Sequence, residues 1–246
     1  MSGHSKWSTI KRKKAATDSK RSKAFSKVLK EISVAVKENG PDPDSNPRLR
    51  VALSNAKGVN LPKENIERAI KKAGDKDSAS LAETTYEGYA PNGIAVFIEC
   101  TTDNINRTVS NIRALFTKHG GNLGTNGSLE FIFDRKGVFT IKAEGIDEDE
   151  FTLEAIDGGA EDVVKEDDIL MVYTSFEDFG NMQKKLEEIS IEPENAELQR
   201  IPNNTKNIGT ESAKKILKLI DLFEDDEDVQ NVYHNLEITE ELLSEM

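Results

Sequence analysis

The hydrophobic periodicity of this chain changes once, between residues 75 and 85, and that change decides which folds are open to it. Before it, apolar residues recur at helical spacing, the mark of helices with one buried stripe. Phe25, Val28, Leu29, Ile32 and Val36 make the first stripe, on a helix expected from about Asp18 to Asn39-Gly40-Pro41. Glycine suits the left-handed position that follows a helix. Pro41 to Pro47 is a loop, and Asn46-Pro47 opens a second helix, because proline costs nothing where the amide hydrogen would have no partner. Leu49, Ala52, Leu53 and Ala56 form its face, and Gly58 stops it. Pro62 opens a third, with Ile66, Ala69, Ile70 and Ala73 inward and Gly74 behind them. Helices this short are not stable alone, so they are expected to pack as a small bundle.

Residues 75–85 read as a polar linker, and beyond it strands alternate with helices. Gly93 to Cys100 is an apolar strand. Asp103-Asn104 caps a helix running to His119, with Ile105, Val109, Ile112 and Phe116 on its inner side. A turn follows to Gly124. Leu129, Phe131 and Phe133 alternate as a strand, Arg135-Lys136-Gly137 turns the chain, and Val138 to Ala143 is another strand. Then come a helix at 147–157 (Phe151, Ala155 and Ile156 inward) and strands at 161–165 and 169–174. A helix at 176–189 turns Phe176, Phe179, Met182, Leu186 and Ile189 inward, before a strand at 196–201. From Val138 onward this is β-α-β-β-α-β, the ferredoxin-like order. A last helix at 211–223 and strand at 228–237 supply what the segment before residue 138 lacks. The expected fold is α+β: an N-terminal three-helix bundle followed by two ferredoxin-like α/β domains, one inserted in the other. Residues 1–76 would hold a basic arm and the bundle, 77–137 plus 206–240 the outer domain, and 138–205 the inserted one.

Charge divides the chain at the same place. Residues 1–76 hold 19 bases and 8 acids, a balance of +11, whereas 77–246 hold 14 bases and 37 acids, or −23. The first thirty residues alone carry 10 bases against Asp18. Such a dipole along the sequence suits one end meeting a polyanion while the other is kept away from it. The longest apolar runs, Ile94 to Ile98 and Ile169 to Tyr173, are five residues, against the roughly 20 of a membrane span. No apolar block follows the basic N-terminus, so a secretory leader is not expected. A single cysteine, Cys100, excludes a disulfide framework. These features suit a cytoplasmic protein with no membrane partner.

The segments Gly3-His-Ser-Lys-Trp7, Asn46-Pro-Arg-Leu-Arg50, Leu61 to Lys72, Tyr86-Glu-Gly-Tyr89, Glu99 to Asn104, Asn106-Arg-Thr-Val109 and Lys118 to Gly124 carry a resemblance over essentially the whole chain. They resemble the YebC/PmpR family, bacterial relatives of the mitochondrial translational activator of cytochrome oxidase. The resemblance implies three domains, a cytoplasmic location and a DNA-binding transcriptional regulator. It also implies a rival role for some members, as ribosome-associated factors that bind RNA and relieve stalling at proline-rich stretches. It implies no catalytic residues. The acidic tail after Asp221 is richer in acids than the resemblance leads one to expect.

The candidate site lies in the basic end. Lys6, Lys11, Arg12, Lys13 and Lys14, in an arm (1–17) without amphipathic period, can each neutralise a phosphate, as can Lys20, Arg21, Lys23 and Lys27 on the first helix. Lys20, Lys23 and Lys27 share a face, being three and four apart. Trp7, the one tryptophan, could stack on an exposed base or anchor the arm on the bundle. Arg48, Arg50 and Arg68 either widen the footprint or are exposed bundle charges. Contacts of this kind hold phosphate without reading sequence, so DNA and ribosomal or transfer RNA are equally suited. The acidic remainder would repel nucleic acid and could receive a basic protein.

Other motifs carry no chemistry. Gly120-Gly-Asn-Leu-Gly124 closes a helix, whereas a phosphate cradle opens one. Cys100 and His119 are expected at opposite ends of their unit, without a third orienting group. His4, His119 and His234 lack metal-ligand spacing. No enzyme, cofactor or metal is expected.

Overall fold

The computed structural model describes residues 18–75 and 80–245, with side chains from Arg21. It divides into two compact units, Met1–Ser78 with Arg135–Gln199, and Ala79–Asp134 with Arg200–Met246.

The first unit opens with three helices, α1 (Asp18–Asn39), α2 (Pro47–Gly58) and α3 (Lys63–Gly74). Their stripes meet in one core of Ile32, Ala35, Val36, Leu49, Ala52, Ala56, Leu61 and Ala73. Asn46 is the joint between α1 and α2. Its side-chain oxygen accepts the Leu49 N–H at 3.0 Å, while its amide donates to the carbonyls of Ala35 at 2.7 Å and Gly40 at 2.8 Å. One buried side chain thus caps the second helix and satisfies the carboxyl end of the first. The same unit holds β4 (Phe133–Lys142), α5 (Glu148–Asp157), β5 (Ala160–Glu166), β6 (Ile169–Ser175), α6 (Phe179–Glu188) and β7 (Asn195–Pro202), β4 and β7 crossing the division at one end. The sheet order is β5-β6-β4-β7, with β6 antiparallel to both β4 and β5. Phe139, Ile141, Phe151, Leu170, Val172, Met182 and Leu186 fill the layer between sheet and helices.

The helices are seated on the free edge of that sheet. The Asn55 amide donates to the Ala196 carbonyl at 3.0 Å, and the Ala196 N–H donates to the Asn55 side-chain oxygen at 2.8 Å. Gly58 lies so close that a Cβ there would stand 1.7 Å from the Glu194 carbonyl oxygen. Its residue type therefore serves this contact as well as the helix end.

The second unit contains β1 (Ala82–Ala90), β2 (Ile94–Thr102), α4 (Ile105–Lys118), β3 (Asn122–Leu123), α7 (Thr210–Glu224), β8 (Val229–His234) and α8 (Glu240–Ser244). Its sheet runs β3-β1-β2-β8, all neighbours antiparallel. The pleat of β2 sends Val96 to the helix side, where the rings of Phe116 and Phe223 stand 4.7 Å apart. Ala95 and Phe97 go to the other side, against Leu129, Phe133 and Tyr233. Covered on both faces, β2 reads as a continuous apolar run rather than an alternation.

The chain is α+β as expected, but local readings change. Strand β1 begins at Ala82, inside the expected linker, because the full length of β2 is there to pair with it. The alternation Leu129, Phe131, Phe133 is not a strand. Glu130–Ile132 is a 3-10 turn that buries Leu129 and Phe133 and turns Phe131 out, 74% exposed. Arg135-Lys136-Gly137 does not turn the chain; β4 runs straight through it because β6 pairs Lys136 with Ser175 and Gly137 with Thr174. Ile105, Ile156 and Phe176, expected inward, are exposed. Phe176 precedes α6 and is covered instead by the Arg135 guanidinium, 4.5 Å from the ring centre. The short helix α8 is not among the expected elements; the Thr239 cap and burial of Leu242 set it.

Candidate nucleic-acid interface

Of the expected phosphate-binding residues, Lys6, Trp7, Lys11, Arg12, Lys13 and Lys14 lie outside the described residues. Lys20 belongs to α1, but its side chain is likewise outside those described. Arg21, Lys23 and Lys27 are described. Arg21 and Lys23 are exposed and Lys27 is half-buried. The Arg21 guanidinium lies over the Phe25 ring at 5.5 Å, so part of this charge doubles as a cover for the apolar stripe.

At roughly 100° per residue, Lys23, Lys27 and Lys30 stand opposite Ile32 and Val36 on the helix wheel, with Lys37 close beside them. Packing of the stripe into the bundle therefore orders these lysines as a ridge along the back of α1. Lys30 and Lys37 were not among the sequence candidates. Their signal was in the spacing: each continues the three-and-four rhythm of Lys20, Lys23 and Lys27.

The three arginines of the later helices separate. Arg48 is held by carboxylates of its own bundle, Glu31 at 3.2 Å and Glu38 at 2.9 Å. Arg50 donates to the carbonyls of Pro43 at 2.7 Å and Asp44 at 3.0 Å, tying down the loop before α2. Both serve the bundle rather than a wider footprint. Arg68 is exposed on α3 with Lys71 and Lys72.

In the second unit one buried charged group, Asp228, is committed to structure. Asp228 is 4% exposed and accepts from Arg107 Nη2 at 2.8 Å and from the Thr108 hydroxyl at 2.8 Å. Burial pushes this carboxyl up, but Arg107 and the hydroxyls of Thr108 and Thr102 outweigh it and hold the group below its ordinary value. The cluster joins the start of α4 to the start of β8. Cys100 is buried within β2 and His119 closes α4. Among the described residues no three His, Cys, Asp or Glu side chains gather as metal ligands. No described helix is long and apolar enough to cross a membrane.

Comparison with known proteins gives one answer over both segments of the chain. Residues 5–76 match the family model for the TACO1/YebC protein N-terminal domain, and residues 81–236 that for the TACO1/YebC second and third domain. A probable transcriptional regulatory protein of Amoebophilus asiaticus (strain 5a2) is 51% identical over 239 residues, 96% of this chain and 98% of that protein. One of the same description from Geotalea uraniireducens (strain Rf4) is 49% identical over 247 residues, covering 100% of both. The crystal structure of a conserved hypothetical protein from Aquifex aeolicus superposes with a TM-score of 0.83 at 45% identity, covering 92% of this chain and 94% of that one. Matched in order from the basic N-terminal helices through both sheets, the chain belongs to the TACO1/YebC family.

Proposed function

We propose that this chain is a regulator of gene expression that acts by binding nucleic acid rather than by catalysis, as a DNA-binding transcriptional regulator. The observation that carries the reading is the charge division, +11 over residues 1–76 and −23 over the rest, with the lysines of α1 set opposite its buried stripe. The names of the relatives support regulation of transcription. Mechanistically, the arm and the back of α1 neutralise phosphates and release their counterions. The acidic remainder repels further nucleic acid, which limits indiscriminate coating, and suits a basic protein partner.

The test is binding of the full chain to duplex DNA across a salt series, beside a variant with Lys11, Arg12, Lys13 and Lys14 changed to Ala. The expected result is weaker binding by the variant and a shallower dependence on salt, by about 0.9 log units for each phosphate that is no longer neutralised. Equal binding by both proteins would remove the basis of the reading. Sedimentation with ribosomes at physiological salt, alongside weak DNA binding, would keep the phosphate grip but move the target to RNA and the role to translation.

A further inference from the structure

We propose that the loop from Gly124 to Phe131 is a second contact surface for nucleic acid, which stacks an unpaired base on the Phe131 ring. The inference rests on the nucleic-acid reading above and names the kind of strand that the second unit takes.

Phe131 is the most exposed of the large apolar side chains among the described residues, at 74%. Its exposure does not come from slack backbone. The Ile132 N–H donates to the Leu129 carbonyl at 2.9 Å, the Asn203 side chain donates to the Phe131 carbonyl at 3.2 Å, and the Asn203 N–H donates to the Ile132 carbonyl at 2.9 Å. Leu129 and Phe133 are buried on either side and Ile132 packs against the same cluster. With its neighbours anchored, the ring is held in water.

The loop leading to it is held by a second device. Glu87, 2% exposed in β1, turns its carboxylate under the loop. One oxygen accepts the Gly127 N–H at 2.7 Å; the other accepts the Leu129 N–H at 2.6 Å and the Ser128 hydroxyl at 3.4 Å. The backbone carbonyl of Glu87 accepts the Gly124 N–H at 2.7 Å. Burying a carboxylate is costly unless its lone pairs are satisfied, and here the partners are the loop's own amides, in charge-assisted bonds. Glu87 is thus a positioning residue for a preformed surface.

The chemistry of that surface favours a base over an apolar protein patch. From His119 to Phe133 the only charged side chain is Glu130, in a segment of the chain that is otherwise strongly acidic. The exposed residues from Gly124 to the ring are Gly124, Thr125, Asn126, Gly127 and Glu130; apart from the Glu130 carboxylate they bring amide and hydroxyl groups instead of an apolar surround. An aromatic face beside such groups suits stacking on a base with hydrogen bonds to its edge. Bases within a duplex are already stacked, so the surface would select single strands.

The experiment compares the full chain with F131A and F131Y by fluorescence anisotropy, on a short single-stranded oligouridylate and on an RNA duplex at one salt concentration. F131A is expected to weaken binding to the single strand by about tenfold while leaving the duplex unchanged; F131Y retains most of the affinity. The side chain is exposed, so folding is kept, and circular dichroism verifies this. Single-strand affinity unchanged in F131A overturns the inference, as does an equal loss on both probes. If F131A is silent while the arm variant still loses binding, the inference falls and the nucleic-acid reading stands. If the unmodified chain binds neither probe, nor duplex DNA, both fall.

Discussion

The Asn55 side chain and the Ala196 backbone exchange two hydrogen bonds, 3.0 Å and 2.8 Å long, so that one residue of α2 occupies the place of a further strand beside β7. An exposed strand edge is a template for wrong pairing, and a primary amide can imitate the backbone because it carries both a donor and an acceptor. Asn55→Ala removes both partners from a part-buried edge. It is expected to cost about 1–3 kcal/mol, seen as a lower urea midpoint, and to speed hydrogen exchange at the Ala196 amide. Asn55→Asp keeps the acceptor but loses the donor and should be no milder. Unchanged exchange at Ala196 would show that the contact does not hold the edge.

Two glycines of the helical segment should respond in opposite directions. At Gly58 a Cβ would meet the Glu194 carbonyl oxygen at 1.7 Å, and backbone cannot swing aside as a side-chain tip can. Gly58→Ala should destabilise by about 2–3 kcal/mol. Gly74 ends α3 with nothing within 4 Å of such a Cβ. Gly74→Ala should stabilise by about 0.5 kcal/mol, chiefly by narrowing the unfolded ensemble. Thermal or urea unfolding of the two variants measures both, and equal effects would contradict the close approach at Gly58.

Asp228 makes stability depend on pH in a defined direction. Its carboxyl is held below the ordinary value of 3.8 in the folded chain, so the unfolded chain binds the proton first as pH falls. The contribution is whole above the unfolded value and is lost as pH drops through the folded one. Asp228→Asn should cost on the order of 2 kcal/mol at neutral pH and should flatten the acid side of the stability curve. Urea unfolding between neutral pH and about pH 3 measures it; parallel curves for the two proteins would exclude Asp228 as the source.

The lysine ridge of α1 gives a prediction about salt dependence. Lys23 is exposed and Lys27 half-buried, both on the side of α1 opposite the stripe. Changing both to Gln should lower the slope of log affinity against log salt by about 0.9 for each residue that meets a phosphate of duplex DNA. A slope equal to that of the unmodified chain would place the phosphate contacts elsewhere.

Local pattern was enough for the first three helices. The stripes Phe25 to Val36, Leu49 to Ala56 and Ile66 to Ala73 each became a helix packed on that face, because a 3.6-residue period and its end signals are properties of a short segment. The run Ile94 to Ile98 was legible as a strand for a like reason: a short apolar run rich in β-branched and aromatic residues suits a strand covered on both faces. The α+β class followed from the order of such elements.

Where a residue needed a distant partner, pattern misled. Phe131 alternates with Leu129 and Phe133 as strand residues do, yet Asn203 and Glu87 take the backbone groups around it and leave a 3-10 turn. Arg135-Lys136-Gly137 has the composition of a turn, but β6 supplies a ladder and it stays extended. Arg48 and Arg68 look alike as charges; the carboxylates of Glu31 and Glu38 claim the first. The sequence by itself determined the helical stripes, the α+β order and the charge dipole, all readable within a few neighbouring residues. Tertiary structure alone decided which charges are already paired, which strand edge is closed by Asn55 and which aromatic ring is left in water, since each depends on groups brought together from far apart in the chain.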